Sequence, residues 1–178
     1  MRNVGVYYDD KQREKWWAWL VMIGVNLIFM VGGVAQIGFD RPIGDDPMSD
    51  VGLIIAEVVL LLLTVMVLSG NLQTYINSEG VFIKYSPYHF NDKFYDWNNI
   101  NTVYVRKYKP VPEYGGRGIR LSLFSFTGQG VIFSRSIAYT VSGRTGLQIE
   151  LKSGKSVLIG TQQPDELKKV LVKLGKIA

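Results

Sequence analysis

Trp16–Ile37 reads WWAWLVMIGVNLIFMVGGVAQI and Val51–Leu68 reads VGLIIAEVVLLLLTVMVL, two apolar runs joined by the acidic stretch 38–50. The first run holds no charged residue and the second holds one, Glu57. A helix needs about 20 apolar residues to cross a hydrocarbon core about 30 Å thick, and both runs are near that length. A helix crosses alone because its backbone satisfies its own hydrogen bonds. The runs therefore predict a transmembrane hairpin over 16–70, with spans 16–37 and 51–68 and an outer loop 38–50. Pro42, Gly44 and Pro47 turn that loop. It has no room for an outer domain, so the two helices are expected to be antiparallel neighbours. Gly33-Val34-Ala35 has the small-x-small look of a cleavage site. The run nevertheless exceeds the roughly 7–15 residues of a signal h-region and a second span follows, so we read a retained span.

Charge orients the hairpin. The formal net charge is +5 over 178 residues. Residues 1–15 are net +1, residues 16–70 net −4 and residues 71–178 net +8. Lys11, Arg13 and Lys15 precede the first span, whereas the loop carries Asp40, Asp45, Asp46 and Asp50 against Arg41 alone. Basic residues near span ends stay in the cytoplasm, so both termini are expected there and the loop outside. Residues 1–15 read as a short cytoplasmic N-terminal segment, too short to fold alone. Tyr7, Tyr8, Trp16, Trp17 and Trp19 cluster at the head of the first span, as an aromatic belt at headgroup level does.

Glu57 is the one ionisable group inside a span, and such groups are costly. It lies six residues past Val51, about 9 Å along the helix. Counted back through the turn, it faces the level of Gly32 and Gly33, where two glycines permit close backbone approach. Gln36 and Asn26 are the polar residues expected to meet it. A locked hairpin or homo-oligomer is the expected use. Transport is the lesser reading, because two helices per chain build no pathway without oligomerising.

Ser69-Gly70-Asn71 is the whole linker between the second span and the rest of the chain, too short for a flexible tether. Residues 71–178 are therefore expected to start at the membrane surface and stay there. They form short alternating runs separated by turn signals, the mark of a mainly-β domain. Leu72, Thr74 and Ile76 alternate before Asn77-Ser78-Glu79-Gly80; Val81, Ile83 and Tyr85 come next, stopped by Pro87. A strand with Phe90 and Phe94 is expected within 88–95, and another through Val103 and Val105. Pro110, Pro112 and Gly115-Gly116-Arg117-Gly118 read as a long loop. Ile119, Leu121 and Leu123 resume the alternation, and Val131–Val141 is β-branched and apolar. Leu147, Ile149 and Leu151 pair through Ser153-Gly154 with Val157 and Ile159, the clearest hairpin signal in the chain. The period then changes. Pro164 opens a helix expected over about 164–175, with Asp165 and Glu166 at its positive end. Leu167, Val170, Leu171 and Leu174 make one apolar stripe, with lysines opposite.

Asp96-Trp97-Asn98-Asn99-Ile100 leading into Val103, together with Gly146–Lys155 running through Thr161 to Leu171, resembles a family of bacterial membrane proteins. In these, two spans are followed by a bacterial pleckstrin-homology-like (PH-like) domain. The resemblance covers the layout of 16–178. It implies a bent barrel of about seven antiparallel strands closed by the C-terminal helix, and a multi-pass protein of the bacterial cytoplasmic membrane. It implies no particular activity. Eukaryotic relatives of the fold often bind phosphoinositides through basic residues in the first strand-to-strand loop. Here that loop is Asn77-Ser78-Glu79-Gly80, with an acid and no base.

The composition excludes several chemistries. There is no Cys, so disulfides, thiolate metal sites and a cysteine nucleophile are ruled out, and no metal site or cofactor is indicated. The single histidine, His89, stands near Asp92 and Asp96 without a nucleophile motif. No catalytic constellation is visible, so an enzyme is not expected. The basic residues of 71–178 are scattered and no recognition helix appears, so nucleic acid is not the expected partner. The charge instead suits weak contact with anionic headgroups. Gly115, Gly116, Arg117, Gly118 and Arg120 are the one stretch with the makings of an anion cradle. A Gly-rich bend between strands is the commoner meaning of such a stretch. The overall expectation is a membrane-tethered, non-enzymatic binding or scaffold module that meets a protein partner or lipid. The alternative is a small structural or regulatory subunit of a membrane complex, assembled through the hairpin and Glu57.

Overall fold

Both apolar runs are helical, as their length and composition require. The computed structural model describes residues 5, 7–41, 44, 46–88, 91–127 and 130–177, with backbone alone at 124–127, 130–132 and 134. It divides into two units, Glu14–Ser69 and Met1–Arg13 with Gly70–Ala178.

In the first unit, α1 spans Trp16–Gly33 and runs on as a π-helical turn, Val34–Gly38. Helix α2 spans Asp50–Leu68. Ser49 caps it, its hydroxyl accepting the Gly52 N–H at 3.2 Å, which satisfies one of the free amides of the first turn. Each helix is long and apolar enough to cross a membrane, and only 6% of each apolar window is buried. Neither is the buried core helix of a soluble domain. The buried residues are polar: Asn26 in α1 and Thr64 in α2, joined by an Asn26 Nδ2–Thr64 Oγ1 bond of 2.8 Å.

The second unit has nine strands among the described residues, where the sequence predicts about seven. The first sheet has the order β1-β2-β3-β4, with β1 Tyr8–Arg13, β2 Asn71–Ile76, β3 Gly80–Ser86 and β4 Lys93–Asp96. The second has the order β5-β8-β9-β7-β6, with β5 Ile100–Lys107, β6 Gly118–Thr127, β7 Gly130–Thr140, β8 Thr145–Leu151 and β9 Ser156–Gly160. The expected closed barrel is not there. No strand of one sheet pairs with a strand of the other among the described residues, and the chain passes between them through a 3-10 turn at Trp97–Asn99. The pairing is antiparallel except that β7 and β9 run parallel, Ile137 opposite Val157. The chain reverses between β7 and β8 and again between β8 and β9, so β9 runs in the direction of β7.

The N-terminal segment also departs from the sequence reading. Tyr8–Arg13 is an edge strand whose partners in β2 lie beyond both helices, with Arg13 opposite Asn71. Its alternating buried residues are Tyr8, Asp10 and Gln12, so no hydrophobic alternation announces it. Tyr8 is 2% exposed in this sheet, not part of an aromatic belt; Trp16, Trp17 and Trp19 are exposed.

One core joins the two sheets and α4, Pro164–Lys173. Leu72, Ile76, Val81 and Ile83 come from the first sheet, Val103, Leu147, Ile149 and Ile159 from the second, and Leu167, Val170 and Leu171 from the helix. The expected β8–β9 hairpin is present, with Leu147 opposite Ile159 and Ile149 opposite Val157. Gly154, at φ 79°, makes its turn.

Candidate functional site

The Gly-rich stretch follows a short helix that the sequence reads as loop. Helix α3, Pro110–Tyr114, is fixed by Arg106 of β5. The Arg106 guanidinium donates to Glu113 Oε2 at 2.7 Å, Gln148 Oε1 at 3.0 Å and the Tyr114 hydroxyl at 3.2 Å. Glu113 Oε1 accepts the Lys109 N–H at 2.7 Å, capping the first turn. Burial raises the pKa of Tyr114, against the pull of Arg106. Arg106 is therefore an arginine with a built environment, and nothing in the alternation of β5 marks it.

Gly115 ends α3 in the left-handed region, φ 70°, its amide donating to Val111 O at 2.8 Å; the Gly116 amide donates to Pro110 O at 2.9 Å. This is the usual helix C-cap, which needs a residue free to take positive φ. The two amides that a nest would turn toward an anion are thus used on carbonyls. Gly118 enters β6 opposite Thr140. Arg120 Nε donates to the Arg117 carbonyl at 2.9 Å, and both arginines are exposed. The stretch offers surface positive charge and not a closed cradle. Arg117 also acts on Tyr108, whose pKa burial raises and Arg117 lowers.

The second group lies between the helices. Glu57 lines an open cleft of about 430 Å³ with Phe29, Gly33, Ile37, Leu53 and Val58. The expected level of Glu57 and Gly33 is thus met. Close backbone approach is not seen at Gly33, where a Cβ would meet nothing within 4 Å, and the cleft lining includes Gly33 and not Gly32. Gln36 is not a partner of Glu57. Its Nε2 donates to Met48 O at 2.6 Å and to Asp50 Oδ1 at 2.9 Å. Gln36 sits three residues nearer the loop than Gly33, about 4.5 Å along the axis, which sets it against the start of α2. Asn26 is likewise taken by Thr64. Glu57 Oε2 is enclosed with no hydrogen-bond partner.

The third group escaped the sequence reading. Asp10, 1% exposed, has four donor groups in reach of Oδ2: Tyr8 OH at 3.2 Å, Gln12 Nε2 at 3.0 Å, Thr161 Oγ1 at 2.9 Å and the Gln162 N–H at 3.1 Å; the Tyr8 and Thr161 hydroxyls, 2.7 Å apart, share their two protons among three contacts. A buried carboxylate is tolerated when its lone pairs are filled in this way. The network ties β1 to the segment between β9 and α4. Burial also pushes the Tyr8 hydroxyl well above its usual pKa, despite the Thr161 bond. His89 lies outside the described residues. Set against protein-family models and against curated proteins, the chain matches none.

Proposed function

We propose that the chain is a membrane-tethered, non-enzymatic binding or scaffold module of PH-like type, working at the cytoplasmic face of a bacterial inner membrane. The observation that supports this is the pairing of β1 with β2. The strand before the helices and the strand after them are neighbours, and Arg13 opposite Asn71 brings the two connections together. Only Glu14 and Lys15 separate β1 from α1, and only Ser69 and Gly70 separate α2 from β2. A β unit held through two such connectors stays with whatever the helices enter. The test is exchange of residues 16–68 for an unrelated two-span anchor, with cross-linking from native membranes as readout. The same partners should be captured. Loss of all of them would overturn the module reading. A reporter fused after Ala178 that works only outside the cytoplasm would contradict the proposed orientation.

The unpartnered Glu57 oxygen favours a second reading, a subunit of a membrane complex assembled through the helices. Glu57→Gln keeps the shape and removes the charge. Disassembly of a complex by that change alone, with the β unit intact, would favour this reading over the first.

A further inference from the structure

The second sheet ends in a two-stranded arm. Strand β7 pairs with β9 only from Ser136 to Tyr139, while β6 and β7 remain paired out to Thr127 and Gly130. Ten residues of strand span roughly 33 Å. Along the inner part of β6–β7, Ile119, Ile137 and the buried Tyr139 pack on the core. Leu121 and Leu123 continue the alternation of Ile119 along the edge strand β6, Leu121 opposite Ile137 and Leu123 past the last β7–β9 pair, and they are 79% and 59% exposed. Phe133 on β7, paired with Phe124 and so on the other face of the ribbon, is 78% exposed. Exposed apolar residues on both faces of one end of a sheet mark a contact surface.

The charge on the arm selects the partner. From Tyr114 to Ile149 there is no Asp or Glu, and the stretch carries Arg117, Arg120, Arg135 and Arg144. Two copies of the arm would bring arginines against arginines. An anionic bilayer offers the opposite charge and an apolar layer beneath it, which suits apolar side chains flanked by cations. We propose that the β6–β7 arm docks on anionic lipid. The ribbon enters end-on, with Leu121 and Leu123 on one face and Phe133 on the other reaching the headgroup layer, and Arg117, Arg120 and Arg135 meet the phosphates. This rests on the tether reading above, which brings the β unit to a bilayer, and it names the ligand of that unit.

The absence of cysteine makes the test direct. Leu121→Cys, and separately Lys155→Cys in the β8–β9 turn as control, are labelled with an environment-sensitive fluorophore. The full chain is placed in nanodiscs of phosphatidylcholine alone or with phosphatidylglycerol. With phosphatidylglycerol, the label at 121 should shift to the blue and be quenched by nitroxide-bearing acyl chains, while the label at 155 does neither. Arg117→Gln with Arg135→Gln should lower the docked-to-undocked ratio about 30-fold, and added salt should act in the same direction. A label at 121 that stays in water in both lipids overturns the proposal. So does docking that is equal in both lipids and indifferent to the arginines. Protection that grows with copies per disc, with cross-links through residue 121, overturns it too and assigns the surface to a second copy. Retention of the chain in the discs after an alkaline wash separates the two readings. A chain that washes off overturns the tether reading, whereas a retained chain with a wet label overturns the arm alone.

Discussion

Leu171 and Leu121 hold similar places in their patterns. Each sits inside a clean apolar alternation of the right period, 3.6 for the helix and 2 for the strand. Leu171, on α4, is fully buried in the core, and Leu121 is 79% exposed on the edge strand β6. A periodic pattern specifies an element and its apolar face. It does not say whether the rest of the chain reaches far enough to cover that face. Helix α4 packs with both sheets in the core, whereas β6 is the edge strand of its sheet, with a neighbour on one side.

The sharpest way to break this comparison is to truncate the covered leucine. Leu171→Ala should cost about 2–5 kcal/mol, the range for buried leucines. Urea unfolding of the detergent-solubilised chain, followed by near-ultraviolet circular dichroism of the β unit, measures it. A loss below about 0.5 kcal/mol would mean that α4 is not docked.

A smaller loss is expected at Asp10. In Asp10→Ala, Gln12 keeps Gly160 O, and Tyr8 and Thr161 keep each other. The Gln162 N–H is then the donor left without its acceptor, a cost of about 1–3 kcal/mol. The same unfolding experiment reads it. A cost equal to that of a surface change would show that water replaces the carboxylate freely.

Alkali should separate the two regions without mutation. Burial is the first cause of the raised pKa at Tyr8, Tyr95, Tyr108, Tyr114 and Tyr139. Tyr75, which donates to Asp92, is pushed up to about 12. A raised pKa means that the folded state keeps a proton which the unfolded state releases. This stability is full below the ordinary tyrosine value of about 10 and falls as pH rises toward 12. The arm carries no tyrosine from Gly115 to Ala138. Unfolding midpoints measured from pH 9 upward should fall from about pH 10. A midpoint that stays flat to pH 12 would contradict the sign.

The smallest effect is expected at the other end of the comparison. Leu121→Ala in detergent should change stability by no more than about 0.5 kcal/mol, as exposed positions do. A loss as large as that at Leu171 would mean that the arm folds back onto the core in solution.

Much of the fold was legible because it rests on local patterns. The two apolar helices, the β8–β9 hairpin and the stripe of α4 come from uninterrupted periodicity and turn residues. The helix α3 was hidden by Pro110 and Pro112, which read as breakers, although proline is at home in a first turn. Of the candidate sites, the Gly115–Arg120 stretch was legible as a bend. That its glycine amides cap α3 was not, because the cap depends on a helix the pattern did not announce. The level of Glu57 against Gly33 came from counting residues through a turn. The partners of Gln36 and Asn26 did not, since a shift of one turn reassigns a hydrogen bond without changing hydropathy.

The sequence by itself determined which segments are apolar helices, which residues alternate in strands and where the chain turns, because these depend on neighbours a few residues apart. Only the tertiary structure decided that Tyr8–Arg13 belongs to the sheet. Its pairing with Asn71–Ile76 spans both helices, and its buried face, Tyr8, Asp10 and Gln12, is stabilised by hydrogen bonds to Gly160, Thr161 and Gln162 at the far end of the chain. The exposure of Leu121 was decided in the same way, by the place of β6 at the edge of the second sheet. Pairings of that sequence separation leave no periodic trace in either partner, so they become visible only when the strands are side by side.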